Sequence, residues 1–113
     1  MDRKTKGIQG EAIAKNHYEN DGCEILEWNY RYKRSEIDLI VLKEDRLLIF
    51  VEVKNRTRID FGEAETFVSE AQQERIKEAA EDYIYGINWQ KDIRFDIACV
   101  DSNGEVEVFE DAF

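Results

Sequence analysis

A chain of 113 residues, 42% apolar and 12% aromatic, has the size and composition of one domain with a core of its own. Its formal charge of −10 at pH 7 excludes a protein that coats nucleic acid indiscriminately, because the net field repels a polyanion. No stretch approaches the roughly 18 apolar residues of a membrane span, and Met1 to Lys6 lacks the apolar segment of a secretory signal, so a cytoplasmic protein with no membrane partner is expected.

Gly7–Asp21 predicts a helix ended by Gly22, with Ile8, Glu11, Ala14 and Tyr18 on one stripe. Glu11 would then point toward the core, whereas a lone histidine, His17, reads as a boundary or surface residue. Glu24–Tyr32 predicts a first strand in which Leu26, Trp28, Tyr30 and Tyr32 alternate with Glu27, Asn29 and Arg31. The aromatic set suits a core better than a base-stacking surface. Lys33–Ser35 turns the chain into a second strand, Glu36–Leu42, and Lys43–Asp45 turns it into a third, Arg46–Lys54; connections this short predict an antiparallel meander. The third strand is apolar on both faces and is expected at the centre of the sheet.

Asn55–Val68, carrying Arg56, Arg58 and Gly62, reads as a loop long enough to act as a clamp on a ligand. Ser69–Tyr85 predicts a second helix before Gly86, with Val68, Gln72, Ile76, Ala79 and Tyr83 on its inner stripe. Ser69-x-x-Gln72 is also a capping-box pattern, so Gln72 is either a cap or an inward-facing site residue. Arg94–Val100 follows as a fourth strand through a helical crossover, and Asp101–Gly104 turns into a short fifth strand, Val106–Phe109. Cys23 and Cys99 have no metal-ligand spacing and predict two reduced, packed thiols without a disulfide.

Two short motifs carry the chemistry, Glu36-Ile-Asp38 and Glu52-Val-Lys54. In a strand, residues i and i+2 share a face, so each motif sets two ionisable groups side by side among apolar neighbours. Carboxylates in such a setting require a metal, a cation or a proton, which makes three acids and one lysine a candidate site. Arg31, Lys33, Arg34, Lys54, Arg56 and Arg58 are six of the sixteen cations and flank these motifs, whereas Asp101–Phe113 holds five acids and no base. A local basic rim and ordinary solvated strand ends both fit that distribution.

The order of elements, with an acid in the first helix, an aspartate in the second strand, Glu-x-Lys in the third and a polar residue in the second helix, resembles the PD-(D/E)XK nuclease superfamily. Within it, the chain is similar to the YraN family, also called UPF0102. The likeness is carried by Gly10-Glu11 with Ala14 and Tyr18, Gly22, Asn29, Glu36–Ile40, Phe50–Lys54 with Arg56, Phe61-Gly62, Arg75–Ala80, Arg94-Phe-Asp96 and Ala112-Phe113, and so spans nearly the whole chain. It implies a single nuclease-like domain over residues 1–113. The implied fold is α/β, a restriction-endonuclease-like core in the order α-β-β-β-α-β-β with a mixed sheet flanked by helices.

The resemblance further implies Asp38 and Glu52 as ligands of Mg²⁺ or Mn²⁺, Glu11 as a further catalytic acid and metal ligand, and Lys54 as the catalytic cation at a scissile phosphate. Phosphodiester hydrolysis needs such a hard, oxygen-held ion to activate water and offset phosphorane charge. Nucleic acid, DNA rather than RNA, would meet Lys33, Arg34, Arg56 and Arg58, with Glu36 and Gln72 as accessory residues and a homodimer left open. Ser35 stands where the family usually has glycine, and Gln72 where lysine is common, which removes a second cation. The expected function is a divalent-metal-dependent DNA endonuclease acting on branched or structured DNA, by the family's likeness to archaeal Holliday-junction resolvases. The alternatives are a catalytically silent nuclease-fold module that binds nucleic acid or a repair partner, and a charged core in which Lys54 only neutralises Asp38 and Glu52.

Overall fold

The computed structural model describes residues 3–55 and 68–113, with side chains from residue 9 onward. In chain order these form α1 (Arg3–Asn20), β1 (Cys23–Tyr32), β2 (Ser35–Lys43), β3 (Leu47–Asn55), α2 (Glu70–Ile87), β4 (Asp92–Val100) and β5 (Val106–Phe109). The five strands make one sheet in the order β1-β2-β3-β4-β5. Tight turns make β1–β2, β2–β3 and β4–β5 antiparallel, while α2 carries the chain across so that β3 and β4 run parallel. The α/β order α-β-β-β-α-β-β and the mixed sheet are as the sequence implies, with β3 in the middle.

The helix ends show where local rules act. α2 continues through Gly86 and stops at Asn88, whose left-handed backbone (φ 55°) lets the cap return hydrogen bonds to Ile84 and Tyr85. At its start Ser69 Oγ accepts the Gln72 N–H at 3.2 Å. Gly10 lies inside α1 because a Cβ there would overlap the Asn55 side chain at the end of β3.

The sheet separates two cores. Ala14 and Tyr18 of α1 pack with Leu39, Val41, Ile49, Val51 and Ala98, whereas Ile76, Ala79 and Tyr83 of α2 pack with Ile37, Ile40, Leu48, Phe50 and Ile97. In the α1 layer the fully buried Asp96 is satisfied on every side. Tyr18 Oη donates to it at 2.9 Å, Arg94 grips it at 2.7 and 2.9 Å, and the Asp111 N–H reaches it at 3.2 Å. This network ties α1, β4 and the C-terminal segment together. Cys23 and Cys99 are free and buried. No described helix is long and apolar enough to cross a membrane.

The aromatic residues of β1 do not behave as one set. Tyr30 and Tyr32 pack against the α2-side core, but Trp28 is 41% exposed and lies against α1. Between them Asn29 adopts a left-handed backbone (φ 55°), which reverses the strand's alternation. With a bulge between Ile25 and Glu27 on its other side, Trp28 faces away from Leu26, Tyr30 and Tyr32, so a period-two reading of β1 as core holds for those three and fails for Trp28.

Candidate metal-binding active site

Three strands set out the site as one row. The β1–β2 register, Trp28 with Leu39 and Tyr30 with Ile37, places Asn29 opposite Asp38; the β2–β3 register, Leu39 with Val51, places Asp38 opposite Glu52. β2–β3 pairing stops at Leu39 and Val51, one step short of the row. Beyond that fork Asp38 Oδ2 accepts the Val53 N–H at 2.7 Å, supplying the acceptor that the diverging strand no longer offers.

Glu52 follows Phe50 along β3 and is only 7% exposed. Its Oε1 accepts from Gln72 Nε2 at 2.9 Å and lies 3.4 Å from Lys54 Nζ, while Lys54 Nζ donates to Gln72 Oε1 at 3.5 Å. Gln72 therefore serves in two ways: its main-chain N–H is capped by Ser69, and its side chain joins Glu52 to Lys54. The inward reading of Gln72 and the cap are both realised, by different atoms of the residue.

Burial, and then the charge of Glu52, push the Asp38 carboxyl up to about 8; Glu11 and Glu36 add to the rise and the Val53 N–H opposes it. Burial raises Glu52 as well, against the pull of Lys54 and hydrogen bonds from Lys54, Gln72 and Asp38. Both carboxyls are thus raised, and the ammonium and the amide beside Glu52 favour its charged form. A half-buried and a buried carboxyl with one lysine for the two fit a divalent cation, which would take the place of a proton. Among the described residues no three His, Cys, Asp or Glu side chains are gathered into a metal cage. A pair of carboxylates suits Mg²⁺, which keeps several of its waters.

Glu11 comes to the row from α1. Its Oε2 accepts from Trp28 Nε1 at 2.8 Å, and Asn29, with its amide oriented to match its neighbours, donates to both Glu11 oxygens at 3.2 Å. Asn29 also donates to Glu36 Oε1 at 2.9 Å, and Glu36 lies 3.6 Å from Arg31. Glu36 thus bonds toward β1 and Asp38 toward β3, while both line one cleft with Glu52.

Asp38 and Glu52 line a cleft of about 240 Å³ that Arg34, Ser35 and Arg75 also line. Neither guanidinium forms an ion pair among the described residues, although Arg31, Lys33, Lys43 and Arg94 all do. Lys33 points elsewhere, to Glu78 at 3.6 Å and over the Tyr32 ring at 5.1 Å. Arg56 and Arg58, with the rest of the expected clamp loop up to Phe67, lie outside the described residues. Arg75 is absent from the set that the strand motifs suggest. Its signal was a spacing of three from Gln72, which sets both on one face of α2.

The Uncharacterised protein family UPF0102 matches residues 10–100. A UPF0102 protein of Cytophaga hutchinsonii is 41% identical over 88% of this chain and 88% of its own, and one of Clostridioides difficile is 44% identical over 86% and 85%. A third, from Flavobacterium psychrophilum, is 37% identical over 95% and 92%. Among solved structures, that of Pyrococcus furiosus SfsA in complex with Ca²⁺ matches 96% of this chain with a TM-score of 0.35 and 15% identity. The chain spans 63% of that protein, a likeness too distant to bear on fold or chemistry. Matched by the family across the row from Glu11 to Lys54, and by its members over most of both chains, the protein belongs to UPF0102.

Proposed function

We propose that this chain is a divalent-metal-dependent DNA endonuclease of the PD-(D/E)XK type, with Asp38 and Glu52 holding Mg²⁺ or Mn²⁺. The observation that carries the reading is the half-buried Asp38 beside the buried Glu52, served by one lysine and lining a cleft with two arginines that form no ion pair among the described residues. An internal ion pair would match each carboxyl with a cation, whereas among the described residues here two carboxyls face one ammonium, so Asp38 ionises only against uncompensated charge. When bound, the ion supplies Lewis acidity toward a phosphoryl oxygen and a more acidic water.

The residues of the chain divide the remaining work. Gln72 and Lys54 hold Glu52 in place and favour its charged form. The Lys54 ammonium, beside Glu52, is suited to orient water and to offset charge that builds on the phosphate. Arg34 and Arg75 suit flanking phosphates, which guanidinium forks grip in two places. Glu11 and Glu36 stand behind the pair, and Lys33, Arg56 and Arg58 are outer candidates for DNA contact. A cationic rim on a chain of net charge −10 favours a local feature such as a branch or flap over a long duplex contact.

The test is a panel of linear, flapped, single-stranded and four-way DNA incubated with Mg²⁺ or Mn²⁺. Cleavage of at least one form is expected, lost in Glu52→Gln and Lys54→Ala while binding persists. Binding without cleavage under either ion would replace this reading with a silent nuclease-fold module.

A further inference from the structure

We infer that Asn29 is a positioning residue of this centre, whose amide holds the Glu11 carboxylate of α1 beside Asp38. The inference rests on the reading of Asp38 and Glu52 as metal ligands. Glu11 and Glu36 come from separate elements, α1 and β2, and both bear on Asp38 through their charge. Left alone, carboxylates so placed repel each other and turn toward water. Asn29 stands between them. One amide N–H is available to Glu11 (3.2 Å) and the other to Glu36 (2.9 Å), while the amide oxygen accepts from Trp28 Nε1 at 3.2 Å.

Every polar atom of the Asn29 side chain is used, and no other side chain of its length offers two donors and an acceptor. The backbone contributes separately. Its φ of 55° belongs to the left-handed region, which asparagine and glycine adopt with least strain. That turn sends Trp28 to the α1 face, where its indole meets Glu11 at 2.8 Å, and Tyr30 to the α2 face. Asn29 thus contributes to Glu11 twice, by its own amide and by directing the indole. Glu11, already bonded to two donors, acts on the centre through its charge and its remaining lone pairs. By holding the two carboxyls that stand behind the metal ligands, such a partner helps to fix the centre's geometry.

The two contributions separate by substitution. Asn29→Gly keeps the backbone and removes the amide; Asn29→Asp keeps the shape and replaces both donors with a third carboxylate. Mn²⁺ affinity of the full chain, read from the electron paramagnetic resonance signal of free Mn²⁺, is expected to weaken about tenfold or more in either variant. Glu11→Ala should weaken it similarly, and Asn29→Gly combined with Glu11→Ala should be no weaker than Glu11→Ala alone, because Asn29 acts through Glu11. Unchanged affinity in the Asn29 variants, or effects that simply add, would overturn the inference while leaving the metal site standing. Failure of the unaltered protein to take up Mn²⁺ would overturn both.

Discussion

The Asp38 carboxylate takes the place of a strand carbonyl: its Oδ2 accepts the Val53 N–H at 2.7 Å just past the last β2–β3 pair, Leu39 with Val51. The fork between β2 and β3 is therefore bridged by the same side chain that is proposed to hold the ion. A buried N–H left without an acceptor costs about 1–3 kcal/mol, so Asp38→Ala would remove charge and acceptor together. Asp38→Asn retains an oxygen for Val53 and removes only the charge, which makes it the variant that isolates the electrostatics.

The first prediction concerns pH. In the folded chain Asp38 titrates at about 8, against roughly 4 for an unfolded aspartate. Between those values the native state holds a proton that the unfolded state has released, so stability falls as pH rises, with the loss complete above the folded value. In EDTA, urea unfolding should show lower stability at pH 8 than at pH 5.5, and Asp38→Asn should remove most of the slope. Burial raises the Cys23 thiol as well, but that loss begins only above a thiol's ordinary range of about 8.5. A slope unchanged in Asp38→Asn would show that the row does not store the repulsion ascribed to it.

The second concerns the ion. A ligand of the folded state alone stabilises by RT ln(1 + [L]/Kd), about 2.7 kcal/mol at a hundredfold excess over Kd, so Mn²⁺ should raise the Tm by several degrees. Because the ion must displace the Asp38 proton, its affinity should rise between pH 6 and pH 8, by up to about tenfold per unit. Asp38→Asn should erase the Mn²⁺ shift and hold or raise the Tm in EDTA. A sharp fall of the EDTA Tm in that variant, with no Mn²⁺ response in the unaltered protein, would mark an internal ion pair with Lys54.

The third concerns the rim. Arg34 and Arg75 line the cleft without a carboxylate partner among the described residues, and each is proposed to meet a phosphate. Arg34→Ala and Arg75→Ala should each weaken DNA binding and lower the slope of log K against log salt by about one unit. Both should leave the Mn²⁺ shift intact. Fluorescence anisotropy with a labelled substrate over a salt series decides it, and unchanged slopes would place the phosphates elsewhere.

The element order was legible because hydrophobic period and turn residues agree over most of the chain. The i, i+2 rule put Glu52 and Lys54 together correctly, since β3 is a regular central strand. It failed where the strands break step. Trp28 leaves Leu26 and the tyrosines because a bulge between Ile25 and Glu27 and the left-handed Asn29 flank it, and no period reveals either, whereas Glu36 and Asp38 still line one cleft. α2 ran past Gly86 because a glycine permits an end without requiring one, and Asn88 supplied the cap. The pairing of Asp38 with Val53 depends on where two ladders fork, which is a tertiary fact. Arg75 was within reach of helical spacing from Gln72, but an expectation built on the strand motifs passed it by.

The last prediction turns on Gln72, which stands where lysine is common in the family and is neutral. Its amide gives an N–H to Glu52 at 2.9 Å and accepts from Lys54 at 3.5 Å, so it ties the site together and favours the charged Glu52 without adding a cation. Gln72→Lys would add a second ammonium beside two carboxyls. The native state should then tolerate Asp38 ionised, which raises the Tm in EDTA at pH 8 and flattens the fall in stability between pH 5.5 and pH 8. A gain of roughly 1 kcal/mol, or about 4–8 °C, is the scale for a change of this kind in a domain of this size. The Mn²⁺ shift should shrink in the same variant, because the new ammonium and the ion answer the same excess of negative charge. Gln72→Ala separates charge from bridging: it removes the amide donor to Glu52 without adding a cation, and should leave the pH slope as steep or steeper. If Gln72→Lys instead lowers the EDTA Tm and leaves the full Mn²⁺ shift, the amide bridge outweighs charge balance, and the repulsion within the row is smaller than the burial of Asp38 implies.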